Sequence, residues 1–169
     1  MKRIIGAGIL VLVAAIALAA TVIVGAKGQG VAINREGKRA EFNIDAWKAR
    51  NGEGVVRVGG YGRFYAIFGT PEHPETVGIN CPEVRTLAKA GNVCQFGGHA
   101  SMQIRNGANY HTVRGVVTFN VTDRRNPTTH TGEPDIIRVR FVQAVTNRVF
   151  EWAGNVSRGD IHVFERVVD

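Results

Sequence analysis

Two cysteines, five histidines and a few turn carboxylates are the side chains here that could do chemistry. Cys81 and Cys94 are the only cysteines, and in an exported chain such a pair suggests one disulfide. Asp123, Glu133 and Asp135 share one polar turn with two prolines and a glycine. Ca²⁺ takes carboxylate and carbonyl oxygens from loops of this kind, so the three form a candidate Ca-binding turn. A turn favours the same residues without any ion. His73, His99, His111, His130 and His162 show no metal-site spacing, and there is no Cys-x-x-Cys. No metal site is expected from them. Ser101 and Ser157 lack the Gly-x-Ser-x-Gly elbow of a nucleophilic hydrolase. The reading is of a non-catalytic chain with no catalytic residues and no cofactor.

The elements that must position these residues are strands. Val117, Phe119 and Val121 alternate with Thr118, Asn120 and Thr122, and Ile137, Val139 and Phe141 alternate with Arg138 and Arg140. That is the period of strands with one buried face. Ala40, Phe42, Ile44 and Ala46 repeat it after a turn at Arg35-Glu36-Gly37. Further turns are expected at Asn51-Gly52, Asn106-Gly107 and residues 155–160, and the paired glycines Gly59-Gly60 suggest a bulge or bend. Eight to ten short strands with regular turns predict an all-β fold, an antiparallel β-sandwich or partly closed barrel. Residues 80–91 fit two descriptions. Asn80, Pro82, Val84, Leu87, Ala88 and Gly91 suit a short helix. A hairpin turning at Ala90-Gly91 would instead put Cys81 roughly 20 Å from Cys94, beyond the reach of a disulfide.

The chain opens with Lys2 and Arg3, then an uncharged apolar run over residues 4–24, and small or aliphatic residues at Val24-Gly25-Ala26 before Lys27. Residues 1–26 therefore read as a signal peptide or as an N-terminal membrane anchor, since about 20 apolar residues span a bilayer. Residues 27–169 read as a single β domain, secreted or held outside the cytoplasm by residues 4–24. The net charge is +7, with 21 basic residues against 14 acidic ones. Arginines on solvated strand faces keep a sheet soluble, and the same excess attracts an anionic polymer or surface. Export argues against nucleic acid as the partner. An unpaired sheet edge would favour self-association.

The turn Gly132-Glu133-Pro134-Asp135, the strand and Gly-containing turn after it, GKRAEFNIDAW at residues 37–47 and AGNVCQFGGHA at residues 90–100 resemble the post-COAP-1 domain. This is a small β module of exported bacterial proteins whose function is unassigned. Cys94 stands where that family has Ala, and the turn after Asp123 carries an insertion. The resemblance implies a β fold, export, and a strand rather than a helix over 80–91; it brings no catalytic residues. The functional expectation is an exported binding or structural module at the bacterial cell surface, its partner an anionic cell-surface polymer or a second copy. A small apolar-ligand carrier with a barrel-type cavity is the alternative.

Overall fold

The computed structural model describes residues 20–168 apart from 71, 74, 127, 128 and 130. Among the described residues there are nine strands and no helix. They are β1 Thr21–Ile33, β2 Arg39–Arg50, β3 Val56–Ile67, β4 Glu75–Cys81, β5 Thr86–Ala90, β6 Val93–Asn106, β7 Asn109–Thr122, β8 Ile136–Gln143 and β9 Val149–Val168. Most strands pair antiparallel with their neighbours in sequence, and two pairings close the sheet. β4 passes over β5 to pair with β6, from Glu75↔Asn106 to Asn80↔Ser101, and β9 pairs with β1. Eight strands thus form a closed antiparallel barrel, with β5 hairpinned onto the first part of β6 as an extra strand.

An eight-stranded barrel is just wide enough for side chains to fill, and here they fill it. The alternating apolar residues of the sequence point inward: Phe42 and Ile44 from β2, Val117, Phe119 and Val121 from β7, and Ile137, Val139 and Phe141 from β8 are all buried. Phe96 stacks on Phe119 with ring centroids 5.2 Å apart, and Phe64 tilts against Trp152 at 5.1 Å. Glycines make room for these rings. A Cβ on Gly62 would lie 2.5 Å from the Phe119 ring, and one on Gly115 would lie 2.7 Å from that of Phe141.

Several strands run on through irregularities. Gly59-Gly60 is the bend expected of it, inside an unbroken β3: the Trp47 ring covers Gly59, and Gly60 bends the strand at φ 111°. Residues 155–160, read as a turn, are not one. β9 runs through them with a bulge, since Ala32 faces Val156 while Val31 faces Arg158, leaving Ser157 as the extra residue. In the β2–β3 connection it is Gly54, at φ 84°, that takes the left-handed conformation rather than Asn51-Gly52. Residues 80–91 hold no helix: β4 ends at Cys81, and β5 and β6 form a hairpin that turns at Gly91-Asn92, one residue beyond the expected Ala90-Gly91.

β1 begins inside the segment read as a leader. Residues 22–26 lie against 46–50 of β2, and 21–26 lie against 163–168 of β9. Gly25 and Ala26 are buried there. The remainder of that segment, residues 1–19, lies outside the described residues.

Candidate ligand-binding surface

Apolar side chains pack the interior among the described residues, and the open depressions described below lie on the outside of the barrel. β1 and β9 carry its best-formed stretch. At one end a depression of about 640 Å³ is lined by Ile33, Asn34, Arg35, Glu36, Arg124, Ile136, Arg138, Ala153, Gly154 and Asn155. Local structure explains each position. Asn34 fixes the β1–β2 turn by accepting the backbone N–H groups of Glu36 and Lys38 at 3.0 and 2.8 Å, which sets Arg35 at the turn's tip. The β alternation that buries Ile137 and Val139 turns Arg138 outward. Asn155 stands opposite both Ile33 and Ile136, and Arg138 stands opposite Ala153. The walls are therefore two strand spacings apart, about 10 Å, over a low floor at Ala153.

The line of cations continues from this depression. Arg158 stands exposed opposite Val31, and further along Lys27 faces His162 across the same pair of strands. Lys27 and His162 border a second open groove of about 520 Å³ with Gln29, Asn43, Asp45, Tyr61 and Asp160. Tyr61 donates to Asn43 Oδ1 at 3.0 Å, and the Arg63 guanidinium lies over the Tyr61 ring at 5.7 Å. Ile33 and Lys27 are six residues apart on β1, so the two depressions sit about 20 Å apart along one strand. Among the described residues Arg35, Arg138, Arg158 and Lys27 enter no ion pair, whereas Arg124 is held by Glu133 at 2.6 Å.

The carboxylates of the candidate Ca-binding turn have other partners. Asp123 and Asp135 meet along the edge of β9 beyond the end of β8. Asp135 accepts the N–H groups of Arg124 and Arg125 on Oδ1 at 2.8 and 3.1 Å, and that of Ile161 on Oδ2 at 3.1 Å. Asp123 Oδ2 accepts from Val163 N–H at 3.0 Å. Glu133 is exposed and turned to Arg124. The two aspartates thus substitute for a strand partner, and no group of three or more His, Cys, Asp or Glu among the described residues is placed to hold a metal ion. Burial raises the Asp123 carboxyl above its ordinary value. Asp160 is raised as well, first by burial and then by the neighbouring Asp135 carboxylate. His162 Nδ1 lies 3.7 Å from Asp123. His73, His99 and His111 stand apart from one another, on the loop after β3, on β6 and on β7; His130 lies outside the described residues.

Where a disulfide was expected, Cys81 and Cys94 are free, buried thiols. The reason is the hairpin. Cys81 Sγ comes 3.3 Å from where a Cβ on Gly98 would sit, whereas Cys94 is four residues from Gly98 along β6, on the order of 13 Å away. Bridged Cα atoms need to come within about 7 Å. Burial raises both thiols, that of Cys94 to about 11, so neither is a ready nucleophile.

No protein-family model matches the chain, and no curated protein and no solved structure matches it. The arginine depression was not legible in the sequence because its cations come from separate segments, at 35, 124 and 138, each indistinguishable from a solvated strand or turn residue.

Proposed function

We propose that the chain is an exported, non-catalytic module of the bacterial cell surface that binds an anionic polymer along the outer face of β1 and β9. The observation carrying this reading is the depression lined by Arg35, Arg124 and Arg138, continued by Arg158 and Lys27 along one strand pair. Guanidinium groups bind carboxylate or phosphate through paired, charge-assisted hydrogen bonds, and Asn34 and Asn155 add polar atoms beside them. A row of such sites over about 20 Å suits a chain of repeating anions better than one small anion. Tyr61 and His162 offer ring faces in the further groove. The leader and the resemblance to the post-COAP-1 domain support export. The packed barrel interior favours an outer binding face over a carrier cavity.

The test is binding of the mature protein to polygalacturonate, with neutral dextran as control, at increasing salt. Affinity for the polyuronate is expected to fall with ionic strength, since screening weakens exposed charge pairs. Arg35→Ala and Arg138→Ala are each expected to weaken it about tenfold, the loss of one hydrogen-bonded charge. Equal retention on dextran, or unchanged binding in the double variant, overturns the reading.

A further inference from the structure

We infer that the chain is processed between Ala19 and Ala20, seven residues upstream of the boundary that composition alone suggests. The inference rests on the reading of export and concerns where the leader ends. Two independent observations carry it.

The first is the place of residues 21–26 in the barrel. They form the opening half of β1, and β1 is paired on both edges. Ala26 is fully buried in the core. Gly25 packs so closely between its neighbours that an added Cβ would lie 2.2 Å from the Ala46 carbonyl and 2.8 Å from the Phe164 ring. A cut before Lys27 would remove this half-strand and leave residues 46–50 of β2 and 163–168 of β9 facing a gap. Backbone groups deprived of their ladder partners are costly wherever water does not replace them. A boundary that deletes half of a doubly paired barrel strand is therefore the wrong boundary.

The second observation is in the sequence just upstream. Ala17-Leu18-Ala19 places small side chains at the first and third positions before the bond, the arrangement a leader peptidase accepts. Cutting there also corrects the length of the apolar segment. Ile4 to Ile16 is 13 uncharged residues behind Lys2 and Arg3, within the range of about 7 to 15 for a cleaved leader. The apparent run of 21 residues, long enough for a membrane anchor, arises because the apolar residues that open β1 follow the leader without a break. Hydrolysis of the Ala19–Ala20 amide consumes one water and yields a carboxylate on Ala19 and an α-ammonium on Ala20. Thr21, opposite Val168, then opens an intact β1.

The experiment is expression of the full chain in a bacterial host, followed by fractionation, intact mass and N-terminal sequencing. An envelope or medium species beginning at Ala20 is the expected result. A species beginning at Lys27 overturns the inference while leaving export standing. A full-length species in the membrane fraction overturns the inference and leaves residues 4–24 as an anchor. A full-length species in the cytosol overturns export itself and the inference with it. Ala19→Arg precedes β1 in the sequence and replaces the small residue next to the bond; it is expected to abolish the processed species, and undiminished cutting in that variant also overturns the inference.

Discussion

Asp160 shows how much of this surface turns on single carboxyl groups. It lies beside the Asp135 carboxylate, its Oδ1 is buried without a hydrogen-bond partner, and burial followed by that neighbour raises its pKa above the ordinary 3.8. With the folded value raised, the unfolded chain gives up its proton first as pH climbs above 3.8. The folded state then binds more protons than the unfolded one, so this group's contribution to stability falls with rising pH through that interval. Asp160→Asn removes the ionisation and supplies an N–H facing Asp135. The variant should match the parent at pH 3.5 and exceed it at pH 7 by about 1 kcal/mol, the net worth of one hydrogen bond. Urea denaturation across that range reads the difference, and a variant less stable than the parent at pH 7 would show that the ionised form is the one the fold needs. Asp123 is raised chiefly by burial too and adds to the same slope.

Among the elements, the 123–135 loop is the one whose role is least like its appearance. β9 has 20 residues, but β8 pairs only with 149–155 of it. Beyond that point the edge of β9 is closed by side chains: Asp135 takes Ile161 N–H, Asp123 takes Val163 N–H, and Arg125 donates to the carbonyls of Val156 and Gly159 at 3.2 Å. Asp135→Ala would strip the acceptor from three backbone donors at once. Each unsatisfied donor costs about 1–3 kcal/mol when buried. Since two of the three are only partly buried, a loss of about 3 kcal/mol is expected in chemical denaturation, with faster amide exchange at Ile161 than elsewhere in β9. A loss below about 1 kcal/mol would mean that water replaces the carboxylate. The sequence made this loop legible as a polar turn because prolines, glycine and acids are local signals. Its capping of β9 was not legible, because Asp135 and Ile161 are 26 residues apart and no periodicity links them. The strands divide in the same way. Alternation gave the inward faces of β2, β7 and β8, whereas residues 155–160 imitate a turn locally and become a bulge only when a partner strand holds them extended. The proposed binding surface lies at the far end of this scale. Arg35 and Arg138 become neighbours only after β1 and β8 both pair with β9, so nothing short of the closed ring brings them together.

For the molecule as a whole, closure decides what the protein can hold. Joining β4 to β6 and β9 to β1 leaves an interior the size of its own side chains, and the sequence fills it by setting glycines against rings. Phe119 is the test of that arrangement. It is fully buried, stacked on Phe96, and occupies the space that the missing side chain of Gly62 leaves free. Because buried rings pack against one another and against glycines in the barrel interior, the native protein should not take up a small apolar probe such as benzene or a fluorescent fatty-acid analogue in a saturable, one-to-one manner. Phe119→Ala should lose about 3–5 kcal/mol of stability through lost transfer energy and the cavity left behind. An apolar cavity of that kind stays dry and accepts benzene, so the variant should gain benzene binding that raises its melting temperature, while the parent shows no such shift. Saturable uptake by the parent would mean that the barrel opens in solution. The search for a ligand would then move from the cationic outer face of β1 and β9 to the space between the strands.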